Sequence, residues 1–432
     1  MARAVAAAIV ISACGTKPAP PVPPAPPACT GTCSAIEHLV LVVQENHSFD
    51  VYFGGWCTAA PGSNPTCTSG PSCCEAMPAT DPARGLAPAT LDDAANAAYS
   101  PDHTQACELS EMDDGKMDKY VTASCGDPRN FARVVPALIQ PYRDWAAQYA
   151  LADRWFQPIA GETVSNDMYF ARAQFVFLDN AYNAPAVGAQ CSEIVNKRSF
   201  TGPTIGDLLT QAGQSWASYG EGYATMAAAT AQATCPAAPA DCAFGIGTYP
   251  CTFDPSDVPF EYYASSRDDP AHMKDLADFD KAAAQGTLPA VSYVKALGYH
   301  TEHPAAGIRI SDGVAFVTRI VGEVLASPQA ASTLVLFTYD ESGGYFDHLA
   351  PPALSDVDLR PYGPRVPTLA IGRFARKGVV SHMVMEHSSI VKFVEWNWLS
   401  GRTGQLGGRD AEVHNIGSLL DPAETGASVP ED

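Results

Sequence analysis

Basic residues are scarce in this chain. Lysine and arginine number 26 against 47 aspartates and glutamates, which leaves a formal net charge of −21 over 432 residues. Nucleic acid is held by a basic face, so it is excluded as a partner. A small phosphate-bearing substrate is not excluded, because only the charge local to a site matters there. Apolar runs of the roughly 20 residues that span a bilayer are also missing. The chain has no Cys-x-x-Cys pair, and no histidine sits at ligand spacing beside a cysteine, which argues against a structural zinc site. The Gly-x-Ser-x-Gly elbow of many serine hydrolases is absent as well: GQSWA around Ser215 lacks its second glycine and ESGGY around Ser342 its first. No internal repeat is found.

The amino-terminal stretch MARAVAAAIVISACG carries Arg3 and then an apolar segment too short to anchor a chain, as an export signal does. ISAC before Gly15 resembles a lipobox, in which cleavage precedes Cys14 and lipid on that cysteine holds the protein at a membrane. The expected division is therefore a signal at 1–13, a lipidated Cys14 with a proline-rich spacer over 14–35, a catalytic domain at 36–415 and an acidic tail at 416–432. Without Cys14, twelve of the 13 cysteines remain, all between Cys29 and Cys251. An even number in an exported chain predicts disulfides of open connectivity. They fall mainly in two irregular stretches, 57–130 and 180–265, which read as insertions over a more regular core.

Short apolar runs rich in β-branched residues predict strands buried on both faces: HLVLVV (38–43), TLVLFTY (333–339) and VPTLAIG (366–372), with PAVSYV (289–294) and SWASYG (215–220) less marked. Helical spacing marks 311–327, with Ser311 as the expected cap, and 388–399. Strands alternating with helices predict a largely parallel sheet covered on both faces, with its ligand beyond the strand carboxyl ends.

Two of those ends carry the same chemistry. LVLVV leads into Gln44, Glu45 and Asn46, and TLVLFTY leads into Asp340 and Glu341. Carboxylates brought together in this way must take up protons or hold a cation. Two carboxylate types with an asparagine carbonyl suit a hard or borderline divalent ion. A solvated loop after each strand is the plain alternative. Thr163 follows Gly161 at the start of a helical segment, where free backbone N–H groups and the helix dipole favour a phosphoryl oxyanion. A helix cap is the plain reading of that residue.

Blocks in fixed order now resemble a known family. ENHSFDVYFG, PDHT (101–104), DDGKMDKYV, the segment ending in GETVSND, TLPAVSYV, EHP (302–304) and TYDESGGYFDHLAPP are similar to the bacterial phospholipase C and acid phosphatase family of phosphoesterases. The resemblance implies an alkaline-phosphatase-like three-layer α/β/α sandwich, with a largely parallel central sheet and disulfide-bearing insertions. It implies Glu45, Asn46, Asp340 and Glu341 as ligands of a divalent metal, Thr163 as nucleophile, and His103 and His303 as site histidines, with His348 a further candidate. Departures are also visible: His47 stands for the family's usual arginine, Ser165, Asn166 and Asp167 for Pro-Asn-Arg, and Ser342 for a common histidine. The expected function is an exported, membrane-anchored phosphoesterase that cleaves phosphodiesters such as phospholipids through a phospho-threonine. The alternatives are an acid phosphatase acting on monoesters, and a surface lipoprotein that binds a phosphorylated ligand without turnover.

Overall fold

The computed structural model describes residues 29, 31–242 and 249–432; the signal, Cys14 and most of the proline-rich spacer lie outside them. Among the described residues ten strands form in chain order: β1 His38–Gln44, β2 Ala89–Leu91, β3 Ala132–Val134, β4 Ala150–Ala152, β5 Trp216–Gly220, β6 Met273–Asp275, β7 Val291–Lys295, β8 Thr333–Tyr339, β9 Thr368–Ile371 and β10 Val379–Ser381. Eight of them build one sheet in the order β10-β4-β9-β8-β1-β7-β5-β6, and β2 and β3 pair separately. Every pairing in the large sheet is parallel except those of β9, which runs against both β8 and β4. The sheet is thus largely parallel, as expected, with β9 reversed. Its apolar run carries no mark of direction, and connectivity alone turns it round.

Leu39 to Val42 and Leu334 to Phe337 are completely buried, residue after residue, so both faces of the sheet are covered. That is why these strands read as unbroken apolar runs and not as alternation. Helices Leu276–Gln285 and Ile310–Ala326 pack on one another, and Thr163–Arg172, Ile205–Gln211 and His387–Trp398 form a second packed group. The result is a three-layer α/β/α sandwich.

Helix Ile310–Ala326 buries Ile310, Val314, Val317, Ile320, Val321 and Val324, the stripe its spacing predicts. Its cap differs from expectation. Arg309 holds the N-cap position, and Ser311 lies inside the first turn with its amide and hydroxyl both on the Asp93 carboxylate, at 2.9 and 2.7 Å. A carboxylate from another helix satisfies the free amide that a local cap would have bonded. The last segment also packs on the domain: Ile416 and Leu419 are buried, and Asp421 and Arg376 amides bond to the backbone of Phe374 and Leu419.

All twelve described cysteines are paired: 29–33, 57–74, 67–73, 107–125, 191–235 and 242–251. Such bonds belong to an oxidising compartment. No described helix is long and apolar enough to cross a membrane.

Several carboxyls are sealed in this fold. Burial raises Glu111 to about 9 and both Glu108 and Glu261 to about 8, against a usual 4.5. The stability such groups contribute is complete below about pH 4.5 and is lost as pH climbs through 8 to 9. Burial has the opposite consequence for histidine, lowering His47 and His387 to about 3 from 6.5, so their contribution is lost as pH falls below 6.5. The melting temperature of chelator-treated protein is therefore expected to fall steadily from pH 6.5 to 9. A calorimetric scan that shows it flat or rising would contradict this assignment.

Candidate active site

β1 and β8 are neighbours in register, with Gln44 opposite Tyr339, so the next residues of each leave the sheet at the same edge. Asn46 turns the chain at a left-handed φ of 65°. Its backbone amide donates to Asp340 Oδ1 at 3.0 Å, and the Glu341 amide donates to the same oxygen at 2.6 Å. The Asn46 side-chain amide donates to Glu341 Oε1, while Gly343 N donates to Glu341 Oε2. Glu341 thus fixes the asparagine so that its Oδ1 faces away from these donors.

Behind the pair, His387 Nε2 donates to the Asp340 carbonyl at 2.6 Å and Nδ1 accepts from Trp155 Nε1 at 3.2 Å. Those partners require a neutral ring. The burial that lowers its pKa to about 3 keeps it so.

Helix Thr163–Arg172 begins at this edge. Gly161 precedes it at φ +139°, and a Cβ there would come within 2.6 Å of Asp179 Oδ1, so only glycine fits. Thr163 is the first helical residue and Asp167, one turn later, shares its face. Thr163 and Glu45 line one cavity of about 290 Å³ with His103, His303, Tyr249 and Asp257. The two insertions provide much of this wall. His103 comes from the first, Tyr249 and Asp257 from the second, and Tyr249 OH donates to Glu45 Oε2 at 3.2 Å.

The two histidines present the same nitrogen. His103 Nδ1 donates to the Pro101 carbonyl at 2.9 Å and His303 Nδ1 to the Pro304 carbonyl at 2.6 Å, which leaves each Nε2 with a lone pair. His103 Nε2 lies 3.3 Å from Asn46 Nδ2 and 3.6 Å from Glu341 Oε1. Burial lowers His303 to about 4, partly offset by the charge of Glu45. His303 is held from behind by Glu302, whose φ of 69° is left-handed. Its carboxylate accepts the hydroxyls of Tyr52, Tyr142 and Tyr339 at 2.5, 2.6 and 2.8 Å, and Gln44 Nε2 at 3.2 Å.

His348 stands apart from the cavity. Its Nδ1 is 2.7 Å from Asp50 Oδ2 and its Nε2 is 3.1 Å from Glu75 Oε2, in a cluster that also holds the Arg365 guanidinium between Asp50 and Asp347. Burial opposes its protonation, but Asp50 raises its pKa above the ordinary value. The structure thus brings seven of the eight expected site residues to one edge and leaves His348 elsewhere.

Residues 36–399 match the profile of the phosphoesterase family. The chain belongs to the phosphoesterase family. Its relatives include the non-hemolytic phospholipase C of Burkholderia pseudomallei, 26% identical over 423 residues that cover 85% of this chain and 55% of that protein. Phospholipase C B of Mycobacterium tuberculosis is 25% identical over 452 residues, covering 91% of this chain and 79% of that one. Non-specific phospholipase C6 of Arabidopsis thaliana is 25% identical, with 83% of this chain and 67% of that one covered. The chain thus spans little more than half the length of the first. Among solved structures, a member of the alkaline phosphatase superfamily from Vibrio parahaemolyticus covers 91% of this chain and 73% of its own, at 9% identity and a TM-score of 0.40.

Whether this phosphoesterase-family site suits a metal can be tested on its oxygens. Asn46 Oδ1 and Asp340 Oδ2 are buried without a hydrogen-bond donor, and Glu45 Oε1 and Asp167 Oδ2 face only the Lys295 ammonium, at 3.0 and 3.9 Å. Burial, with the charges of Glu45 and Asp167, raises Asp340 well above the carboxylate range, although Lys295 lowers it. Unpaired buried oxygens of this kind are costly unless a cation faces them. The residues fit a hard or borderline divalent ion. Two tighter groupings elsewhere do not: Arg365 already serves Asp50 and Asp347, and Cys107 and Cys125 are joined to each other.

Three residues at this edge escape a motif-by-motif reading: Lys295, Asp167 and Asp257. Lys295 ends strand β7 beside β1, so the rule that singles out Glu45 and Asp340 applies to it equally. Asp167 shows only as a departure from the family pattern. Asp257 is carried in by an insertion, with no signal in its neighbours.

A divalent ion at 100 times its dissociation constant is expected to stabilise the fold by about 2.7 kcal/mol. Thermal denaturation with and without Mn²⁺ reads this as a higher melting temperature. Asp340→Asn keeps an oxygen for the Asn46 amide but loses the charge, and it should abolish the gain. An undiminished gain in that variant would place the ion elsewhere.

Proposed function

We propose that this chain is a metal-dependent phosphoesterase of the phospholipase C type, cleaving phosphodiesters through a covalent intermediate on Thr163. One observation carries the reading: Thr163 and Glu45 line the same cavity as His103 and His303, at the edge where Asn46 and Asp340 turn unpaired oxygens inward. Phospholipase C activity in the names of the bacterial and plant relatives supports the substrate class.

Glu45, Asn46, Asp340 and Glu341 would hold the divalent ion. When bound, it supplies positive charge that lowers the pKa of a nearby hydroxyl and stabilises the phosphoryl oxygens. Thr163 Oγ attacks phosphorus in line with the ester oxygen; the Oγ–P bond forms as the bond to the leaving alcohol breaks. A histidine Nε2 relays the hydroxyl proton to the departing alkoxide. Both rings suit this role, since each has its Nδ1 proton committed to a carbonyl. In the second half, water attacks phosphorus, the same nitrogen takes up its proton and passes it to Thr163 Oγ, and the phosphorylated head group leaves. The positive end of the helix dipole lies at Thr163, the first helical residue, and favours the charge that develops there. His348, paired to Asp50 and Glu75, has no part in these steps.

The test is hydrolysis of a chromogenic phosphorylcholine diester and a chromogenic phosphate monoester, each with and without chelator. Chelator-sensitive turnover of the diester is expected, with kcat reduced at least about 10³-fold in Thr163→Ala. Faster turnover of the monoester would make the protein a phosphatase. Turnover of neither with any divalent ion would make it a binding protein. Denaturing a diester reaction at steady state should leave label on the wild type and none on Thr163→Ala.

A further inference from the structure

Helix Gln105–Met112 of the first insertion starts two residues after His103 and lies against the turn that precedes Thr163. Glu108 on this helix is 1% exposed, and its two oxygens take three donors from two other parts of the chain. Oε2 accepts the Gly161 amide at 2.7 Å and Gln157 Nε2 at 2.9 Å, and Oε1 accepts the Ser342 hydroxyl at 3.0 Å. Gln105 lies three residues earlier on the same face, and its Nε2 donates to the Ala160 carbonyl at 2.9 Å. Cys107, between them, is bonded to Cys125, which fastens the helix within the insertion.

These contacts meet the chain where Thr163 is set. Gly161 is buried, and without Glu108 its amide would become a buried donor with no acceptor. The Gly161 carbonyl accepts Asn166 Nδ2 at 2.8 Å, and Asn166 Oδ1 accepts the Ile159 amide at 3.1 Å. The turn is thus tied forward to its own helix and backward to Glu108. The other oxygen of Glu108 reaches Ser342, the residue after Glu341, whose amide donates to Gln157 Oε1 at 2.7 Å. Ser342, a departure from the family's common histidine, therefore has its partner in an insertion. One carboxyl group joins the turn before the proposed nucleophile to the strand end that carries the proposed metal ligands. Glu108 is not in the wall of the cavity that holds Thr163, and both its oxygens are committed, so it touches no reacting atom.

We infer that Glu108, with Gln105 beside it, is a positioning residue for Thr163: the first insertion is the mount that holds the nucleophile turn in place against the end of β8, as well as the source of His103. The inference rests on the reading of Thr163 as nucleophile. Loss of the mount has a definite kinetic form. The cavity wall that binds substrate keeps its residues, whereas in-line attack depends on where the Thr163 oxygen stands, and a displacement of about 1 Å costs about 10²-fold in rate.

Steady-state kinetics on the chromogenic phosphorylcholine diester with Mn²⁺, beside the melting temperature of each variant, tests this. Glu108→Leu should lower kcat and kcat/KM together, about 10²-fold, with KM unchanged. Glu108→Gln keeps an oxygen for the Gly161 amide and should recover most of the loss. A folded Glu108→Leu with wild-type kcat, or with its loss confined to KM, overturns the inference and leaves Thr163 as nucleophile. So does a Glu108→Gln no faster than Glu108→Leu. Full turnover in Thr163→Ala, or none in the wild type, overturns the reading of Thr163 and the inference with it. Should Glu108→Leu not fold, Gln105→Ala decides, because that half-buried side chain gives up only the Ala160 bond. A lower kcat at constant KM then supports the inference, and an unchanged kcat overturns it.

Discussion

A single acceptor, Asp340 Oδ1, receives the amides of Asn46 and Glu341 and so joins the ends of the two central strands. The rest of the site depends on this clamp. Because one oxygen is fully used by backbone donors, the other, Oδ2, is left buried and bare beside Glu45 and Lys295. A carboxyl group divided in this way holds the backbone with one oxygen and presents a bare oxygen with the other. The left-handed turn at Asn46 follows from the same bond, since only that turn brings its amide back over Asp340 while its side chain meets Glu341.

Glu302 acts in a comparable way on the opposite wall. Three tyrosine hydroxyls and an amide converge on it in the buried interior, and all four are donors, as an ionised carboxylate requires. Burial pushes Glu302 up to about 7 while the hydroxyls of Tyr142, Tyr52 and Tyr339 pull it down. The donors come from the helix after β1, from a second helix and from β8, so the position of His303 is set by the core and not by its own loop. A side chain fixed in this manner, if it acts as proposed, needs little reorganisation when substrate arrives.

Much of this was legible in the residues. Unbroken apolar runs marked out β1 and β8, and the polar residues after them pointed to Glu45, Asn46, Asp340 and Glu341, because adjacent acids at the end of a buried strand are costly unless a ligand or solvent meets them. Lys295 obeyed the same rule on β7 and was equally available to it. The three-residue strands β4, β6 and β10 were not legible, since so short a run carries no periodicity. Nor was the pairing of Ser311 with Asp93, 218 residues away, because a helix cap reads as local until the fold brings in a competitor. His348 belonged to one of the blocks that carry the family resemblance, yet its ring serves a buried ion-pair network. Motif membership located it near the strand end without saying which way it faces.

The acidity of the chain and its proposed attack on phosphate esters are reconciled by distance. A net charge of −21 repels an anion only over the Debye length, roughly 8 Å at physiological ionic strength. Inside the cavity the field at phosphorus is set by whatever lies within a few ångströms. There the balance is delicate: five carboxylates at the edge would by themselves expel a phosphate, and Lys295 alone does not offset them. A divalent ion beside Asp340 Oδ2 would change the sign of the field where phosphoryl oxygens would sit, while the neutral rings of His303 and His387 add no charge of their own. The surrounding carboxylates would then keep that cation in place, Glu45 and Asp257 from the wall of the cavity itself. Overall charge would therefore govern how such a substrate approaches, and a cation at the sheet edge whether it is held.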